Sequence, residues 1–134
     1  MWKISTLIAD DDDSMHQVLK VILPGIGAEV VGEAGDGQEA LGLYVKHRPH
    51  LVLLDINMPK MSGIEVLQEI KLINPKACVI MLTSENSAET VKACIRSGAR
   101  AYVLKTNPPE ILAAGIADGW RGYIDQMTGV CKQH

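Results

Sequence analysis

No stretch of this chain approaches the roughly 18 consecutive apolar residues that a bilayer-spanning helix needs. The amino terminus also reaches acid at Asp10 before the apolar core of a secretory signal could form. Both absences point to a soluble, cytoplasmic protein with no membrane partner. Basic charge is in short supply as well. Lys and Arg number 13 against 16 Asp and Glu, for a formal net charge of -3. The cations are scattered, so direct nucleic-acid binding by this chain is not expected. Cysteine is sparse and shows neither disulfide nor zinc spacing: Cys78 lies in an apolar run, Cys94 in a helical pattern and Cys131 in the tail. A reducing compartment follows. His47 and His50 flank Pro49 but lack a third ligand, so they read as a solvated loop instead of a metal site. Low-complexity linkers and internal repeats are missing too. What is present is one domain of 134 residues, 47% apolar, long enough to bury a substantial core.

Five apolar runs, at residues 6–9, 30–34, 51–56, 79–83 and 101–104, alternate with segments of helical spacing. The runs are continuous in their apolarity, which marks strands covered on both faces. The helical stripes comprise Met15, Val18, Leu19 and Ile22; Ala40, Leu41, Tyr44 and Val45; Ile64, Leu67 and Ile70; Val91, Cys94 and Ile95. Each is expected to face the core. Pro24-Gly25, Asp36-Gly37, Pro49, Asn74-Pro75 and Gly98 punctuate the alternation where turns are needed. Strand-helix repetition with short loops predicts right-handed βαβ units, hence an α/β, three-layer, doubly wound parallel sheet with helices on both faces. The last helix carries Ile111, Leu112, Ile116, Trp120, Tyr123 and Ile124 but is interrupted by Gly115, Gly119 and Gly122. Each interior glycine costs about 1 kcal/mol relative to alanine, so this helix is expected to fray from Gly119 onward unless a partner or a second copy packs on it.

Acid marks the strand ends. Asp10 to Asp13 close the first run, and Asp55 closes the third. Asp12 and Asp13 suit a helix start, with Asp13 or Ser14 as the expected N-cap. If the first and third runs are neighbouring parallel strands, Asp10, Asp11 and Asp55 meet on one rim. Two carboxylates about 5 Å apart at an effective dielectric of roughly 20 repel by about 3 kcal/mol, or roughly two pKa units. A divalent cation held by oxygen ligands is the simplest compensation, and Mg²⁺ suits a few carboxylates with open water positions. Ligands of doubly wound sheets lie outside the carboxyl ends of the strands. There the fourth run ends in Thr83-Ser84 and the fifth in Lys105. A hydroxyl and an ammonium facing a metal-carboxylate site describe phosphoryl transfer, with Asp55 as the nucleophile that forms an aspartyl-phosphate.

The pair Asp10-Asp11 after a strand, the string Asp55-Ile56-Asn57-Met58-Pro59-Lys60-Met61-Ser62-Gly63, the Thr83-Ser84 strand end and Tyr102-Val103-Leu104-Lys105 together resemble the receiver domain of two-component response regulators. The resemblance covers nearly the whole chain. It implies a flavodoxin-like, five-stranded sheet in the order 2-1-3-4-5, with a receiver over residues 1–122 and a tail, or the start of a linker to an absent output domain, over 123–134. It further implies that Asp55 is the phosphoacceptor. Asp11 would be a direct Mg²⁺ ligand, Asp10 would act through a metal-bound water, and the main-chain carbonyl of Asn57 would complete the set. Thr83 and Lys105 would bind phosphoryl oxygens, with Thr83 and Tyr102 as the switch pair. A histidine kinase or phosphotransfer protein would be the phosphoryl source. The fourth helix, fifth strand and fifth helix would form the output surface and a possible homodimer interface.

Thr106 follows Lys105 where many receivers carry proline, leaving a cis or trans bond open; receivers of LuxR-type DNA-binding regulators often lack that proline, and residues 105–110 resemble theirs. Asn57 and Glu85 occupy positions that tune water access in this family, and both predict a short-lived phosphoryl group. Met58 and Met61 read as loop packing. Two rival readings are an aspartyl-phosphate phosphatase or phosphotransferase and a degenerate receiver used only for binding. The first would place a second aspartate where Asn57 stands, and the second would have lost Asp11, Asp55 or Lys105.

Overall fold

The computed structural model describes residues 3–84 and 87–129. Its strands are β1 (Ile4–Ala9), β2 (Ala28–Ala34), β3 (Leu51–Asp55), β4 (Cys78–Thr83) and β5 (Ala101–Leu104). All pair in parallel, in the order β2-β1-β3-β4-β5. The connections are α1 (Asp13–Ile22) with a 3₁₀ turn at Leu23–Ile26, α2 (Gly37–His47), α3 (Gly63–Ile73) and α4 (Ala88–Arg96), and α5 (Pro109–Thr128) follows β5. This is the doubly wound, flavodoxin-like arrangement expected from the sequence.

Two apolar layers flank the sheet. Leu7, Val52, Leu54, Val79 and Met81 point to one side, where they meet Ala40 and Tyr44 of α2, Val66, Leu67 and Ile70 of α3, and Cys94 of α4. Ile8, Leu51, Leu53, Ile80 and Leu82 point to the other side, against Met15 and Leu19 of α1 and Leu112 and Ile116 of α5. Successive strand side chains alternate faces, so a strand covered on both sides is apolar on both faces up to its carboxyl end, where Asp55 and Thr83 stand. Every residue of β3 and β4 is buried accordingly. The edge strand β2 has exposed positions at Glu29 and Glu33, and it begins two residues earlier than the apolar run suggested because an edge tolerates polar side chains.

The stripes expected to face the core do so except at their margins. Val45, Ile95 and Ile111 are more than half exposed, because each sits about 100° around the helix from its buried neighbour Tyr44, Cys94 or Leu112. Met58 and Met61 pack partly buried against the α2–α3–α4 layer. His50 is tied to β1: its Nδ1 lies 3.0 Å from both the N–H and the Oγ of Ser5. His47 is exposed at the end of α2. Cys78 and Cys94 are free and buried, and burial pushes the Cys78 thiol up to about 12, which leaves it unreactive. Cys131 lies outside the described residues.

The glycines of α5 act differently from the expectation of a frayed helix. The helix runs unbroken from Pro109 to Thr128, with Gly122, the expected domain end, inside it. A Cβ at Gly119 would fall 2.8 Å from Ile80 Cδ1 and 3.2 Å from Ala101 Cβ, and one at Gly115 would fall 3.2 Å from Val103. These two positions let the helix backbone settle onto β4 and β5. Trp120 and Tyr123 stack with ring centres 5.4 Å apart, and the Tyr123 hydroxyl donates to the Lys76 carbonyl at 2.7 Å. Tertiary contact thus offsets the weak intrinsic propensity.

The loop after β3 is equally tight. α3 starts with a reciprocal capping box between Ser62 and Glu65. The Gly63 N–H donates to the Ile56 carbonyl at 2.7 Å, and a Cβ on Gly63 would lie 2.0 Å from the carbonyl oxygen of Asp55. Gly63→Ala should therefore destabilise the protein by about 3 kcal/mol or more, since backbone must move to admit the methyl. Gly42, in α2 with nothing within 4 Å of its would-be Cβ, supplies the contrast: Gly42→Ala should stabilise by about 0.5–1 kcal/mol. Urea denaturation of the two variants beside wild type checks both signs.

Candidate functional site

Parallel pairing delivers every strand's carboxyl end to one edge. Ala9 pairs with Leu54, Asp55 with Leu82 and Thr83 with Leu104. The register therefore sets Asp10 beside Asp55, with Thr83 one step and Lys105 two steps further along the same rim. Main-chain bonds fix these ends beyond the ladder: Ile56 N–H to Leu82 carbonyl at 3.3 Å, Lys105 N–H to Thr83 carbonyl at 2.8 Å, and Asp10 N–H to Ala34 carbonyl at 3.0 Å. The expected site residues from four separate segments thus converge.

Asp10 and Asp55 are buried, with side chains 0% and 6% exposed, while Asp11 faces solvent. One carboxylate oxygen from each of Asp10, Asp11 and Asp55 lies within 4.8 Å of the others. Lys105 stands between the buried pair, its Nζ 2.8 Å from Asp10 Oδ2 and 3.5 Å from Asp55 Oδ2. The charge compensation expected foremost from a divalent cation is supplied here by Lys105 as well, directly to the carboxylates. Burial, then the adjacent Asp10 carboxylate, push the Asp55 carboxyl up to about 6, with Lys105 and the Asn57 N–H opposing them. Burial also depresses the Lys105 ammonium, but the Asp10 and Asp55 carboxylates outweigh it and hold its pKa above the usual lysine value.

The remaining contacts orient the carboxylates. Asp10 Oδ1 accepts from the Asp12 N–H at 2.9 Å, and Asp55 Oδ1 accepts from the Asn57 N–H at 3.3 Å. Asp10 Oδ2 is fully buried, and its partner is the Lys105 ammonium at 2.8 Å, which holds it by charge-assisted contact. Three carboxylates with oxygens within 4.8 Å of one another, two of them buried and sharing the single ammonium of Lys105, are a donor set that fits a small oxygen-seeking cation. Thr83 is wholly buried at the end of β4, and Tyr102 packs partly buried against the α2–α3–α4 layer. The Lys105–Thr106 peptide is trans. Glu85 lies outside the described residues.

Two features escaped the sequence reading. The α1 N-cap is Asp12, whose Oδ1 accepts from the Ser14 N–H at 3.0 Å, not Asp13 or Ser14. The run divides between Asp11 and Asp12 as expected, and only the cap lies earlier than the helix-start preference suggested. His16 was not singled out, yet it is buried and its Nε2 lies 2.7 Å from the Asp10 carbonyl oxygen. Its place next to Met15 and three residues before Leu19, at the border of a buried stripe, was the available signal.

A family model for the response regulator receiver domain matches residues 6–117. The chain is 38% identical over 103 residues to the chemotaxis protein CheY of Thermotoga maritima, covering 77% of this chain and 86% of that one. It is 37% identical over 117 residues to the nitrate/nitrite response regulator protein NarP of Escherichia coli, covering 87% of this chain but only 54% of NarP. The crystal structure of a DNA-binding response regulator of the LuxR family from Staphylococcus aureus superposes with a TM-score of 0.80 at 30% identity, covering 87% of this chain and 98% of that one.

The elevated Asp55 pKa gives a pH test. In the unfolded chain this carboxyl titrates near 3.8, and in the fold near 6, so the native state holds a proton that the unfolded state has released between those values. That stabilisation is fully present below about pH 4 and is lost as pH rises through about 6. At neutral pH the ionised carboxylate costs about 3 kcal/mol. In metal-free buffer Asp55→Asn should raise the urea stability by about that amount at pH 7.5 and by well under half of it at pH 4.5. An equal gain at both pH values would exclude a raised Asp55 pKa.

Proposed function

Because this chain belongs to the response regulator receiver family, whose members are signalling switches, we propose that Asp55 accepts a phosphoryl group from a histidine kinase or phosphotransfer protein of a two-component system. The observation that carries the proposal is the buried Asp55 carboxyl at the end of β3, sharing one rim with Asp10, Asp11 and Lys105. With a pKa of about 6 it is largely ionised at neutral pH, as a nucleophile must be. One Asp55 oxygen attacks phosphorus as the bond from phosphorus to the donor's imidazole nitrogen breaks; the released imidazole takes up a proton, and an aspartyl-phosphate remains.

The carboxylates of Asp11 and Asp55 and the main-chain carbonyl of Asn57 would hold Mg²⁺, with Asp10 acting through a water. Bound there, Mg²⁺ would neutralise charge on the transferring group. Lys105 pairs with one phosphoryl oxygen and the Thr83 hydroxyl donates to another. The new group adds about -1.5 to -2 charges at neutral pH, so it competes with Asp10 for the Lys105 ammonium. Thr83 moves toward the phosphoryl group and Tyr102 turns inward behind it. The population shifts toward the arrangement that satisfies these partners, which reshapes the face formed by α4, β5 and α5. That face would serve as the output surface and as a possible homodimer interface.

The protein is then a phosphoacceptor switch and not an enzyme acting on outside substrates, since Asn57 stands where a phosphatase of the rival class needs a second aspartate. Retention of Asp11, Asp55 and Lys105 argues against a degenerate binding module. The S. aureus neighbour and the sequence around Lys105 support a receiver of the LuxR type, operating in the cytoplasm without nucleic-acid contact of its own. Among the described residues no helix is long and apolar enough to cross a membrane.

Treatment with a small acyl-phosphate donor and Mg²⁺ should add one phosphoryl group to the intact mass of the wild type and none to Asp55→Asn, and chelation of Mg²⁺ should abolish the labelling. Equal labelling of the two proteins would remove Asp55 from its role. Because Asn57 leaves the approach to Asp55 open, the label should decay within minutes to an hour when donor is removed with Mg²⁺ present; persistence for many hours contradicts that lifetime.

A further inference from the structure

β1 leaves its ladder at Ala9, and the peptide that follows, joining Asp10 to Asp11, turns its carbonyl toward α1. There the Nε2–H of His16 donates to the Asp10 carbonyl at 2.7 Å. His16 is 6% exposed, so this donor satisfies a carbonyl that solvent barely reaches. The other ring nitrogen, Nδ1, lies 3.1 Å from Glu33 Oε1, near the end of β2. Glu33 Oε2 in turn lies 3.4 Å from Lys20 Nζ on the next turn of α1. A continuous path of contacts thus links the Asp10 carbonyl to His16, Glu33 and Lys20, and bolts the acidic turn to α1 and β2 together.

The peptide bond is planar, so the direction of the Asp10 carbonyl also fixes the direction of the Asp11 N–H and the position of the Asp11 Cα from which that side chain departs. Asp11 is exposed, and its carboxylate takes its aim from the main chain. Asp10 is held from the same turn, its Oδ1 on the Asp12 N–H. We propose that His16 is a positioning residue: by holding the Asp10 carbonyl it sets the plane of the Asp10–Asp11 peptide, so that both carboxylates converge with Asp55 on the divalent cation. The inference rests on the Mg²⁺ site proposed above. It assigns His16 no contact with the cation or the phosphoryl group. A metal site is tuned by the groups that orient its ligands as well as by the ligands, and loss of such a group typically costs about 10–100-fold in affinity.

Calorimetric titration of MgCl₂, with no phosphoryl donor present, into wild type, His16→Leu and His16→Gln separates the possibilities, with urea stability measured beside each. Glutamine can place an amide N–H near the position of Nε2, so His16→Gln should bind within about threefold of wild type, whereas His16→Leu should bind about tenfold more weakly. A purely structural histidine would lower stability in both variants and leave the affinity of the folded protein unchanged. Wild type that takes up no Mg²⁺ would overturn the cation reading, and this inference with it. Wild type and His16→Leu binding equally would overturn the inference alone. A glutamine variant as weak as the leucine variant would overturn the role of the Asp10 carbonyl. Should His16→Leu fail to fold, His16→Asn, whose amide is too short to reach that carbonyl, takes its place with the same expectation.

Discussion

Mutual repulsion of the buried carboxylates at the carboxyl edge of the sheet is the constraint around which the rest of the molecule is arranged. Asp10 and Asp55 sit side by side because β1 and β3 pair in parallel with Ala9 opposite Leu54. Neither can turn to water, since both side chains are almost fully buried. At Asp55 desolvation and like charge act against ionisation, and the ammonium of Lys105 and, more weakly, the Asn57 N–H act for it. The result is a carboxyl group poised near pH 6 beside a lysine divided between two partners. Such a balance is sensitive to any added charge, cation or phosphoryl group, which is what a switch requires.

Holding that arrangement demands close backbone contact behind it. Gly63 brings the start of α3 against the Asp55 carbonyl, and Gly37 admits the main chain of Met61, whose carbonyl oxygen would lie 2.2 Å from an added Cβ. Both contacts fix the loop after β3. On the opposite face Gly115 and Gly119 bring α5 down on β4 and β5, the strands that end in Thr83 and precede Lys105. The glycines that weaken α5 as an isolated helix are the positions at which it meets the sheet. A low helix propensity and a tight helix-sheet contact are two consequences of one absent side chain.

Much of this was legible in advance for a physical reason. A parallel sheet covered on both faces leaves a run of consecutive apolar residues for each strand, and a covering helix leaves a stripe with a period near 3.6; Leu51 to Leu54 and the spacing of Ile64, Leu67 and Ile70 show both plainly. Polar residues that interrupt such runs at the carboxyl ends, Asp10, Asp55, Thr83 and Lys105, stand out because a strand end is where the doubly wound fold gathers its ligands. The margins were less legible. Val45, Ile95 and Ile111 continue their stripes in sequence but rotate out of the buried arc. The α1 cap fell on Asp12 because four adjacent aspartates offer several equivalent caps, and only the direction of the chain leaving β1 selects among them.

The sequence by itself determined the fold class, the strand order expected from the family pattern and the identity of the acidic, hydroxyl and ammonium groups at the site, because these depend on periodicity and on residue type at strand ends. Tertiary structure decided how those groups share charge. That Lys105 pairs with Asp10 at 2.8 Å and with Asp55 at 3.5 Å, that the Asp10 carbonyl finds a donor in His16, and that the glycines of α5 mark contact instead of weakness all depend on distances between segments far apart in the chain. Electrostatic coupling falls with separation and with exposure, and neither is written in residue order; both are set only when the strands pair and the helices close over them.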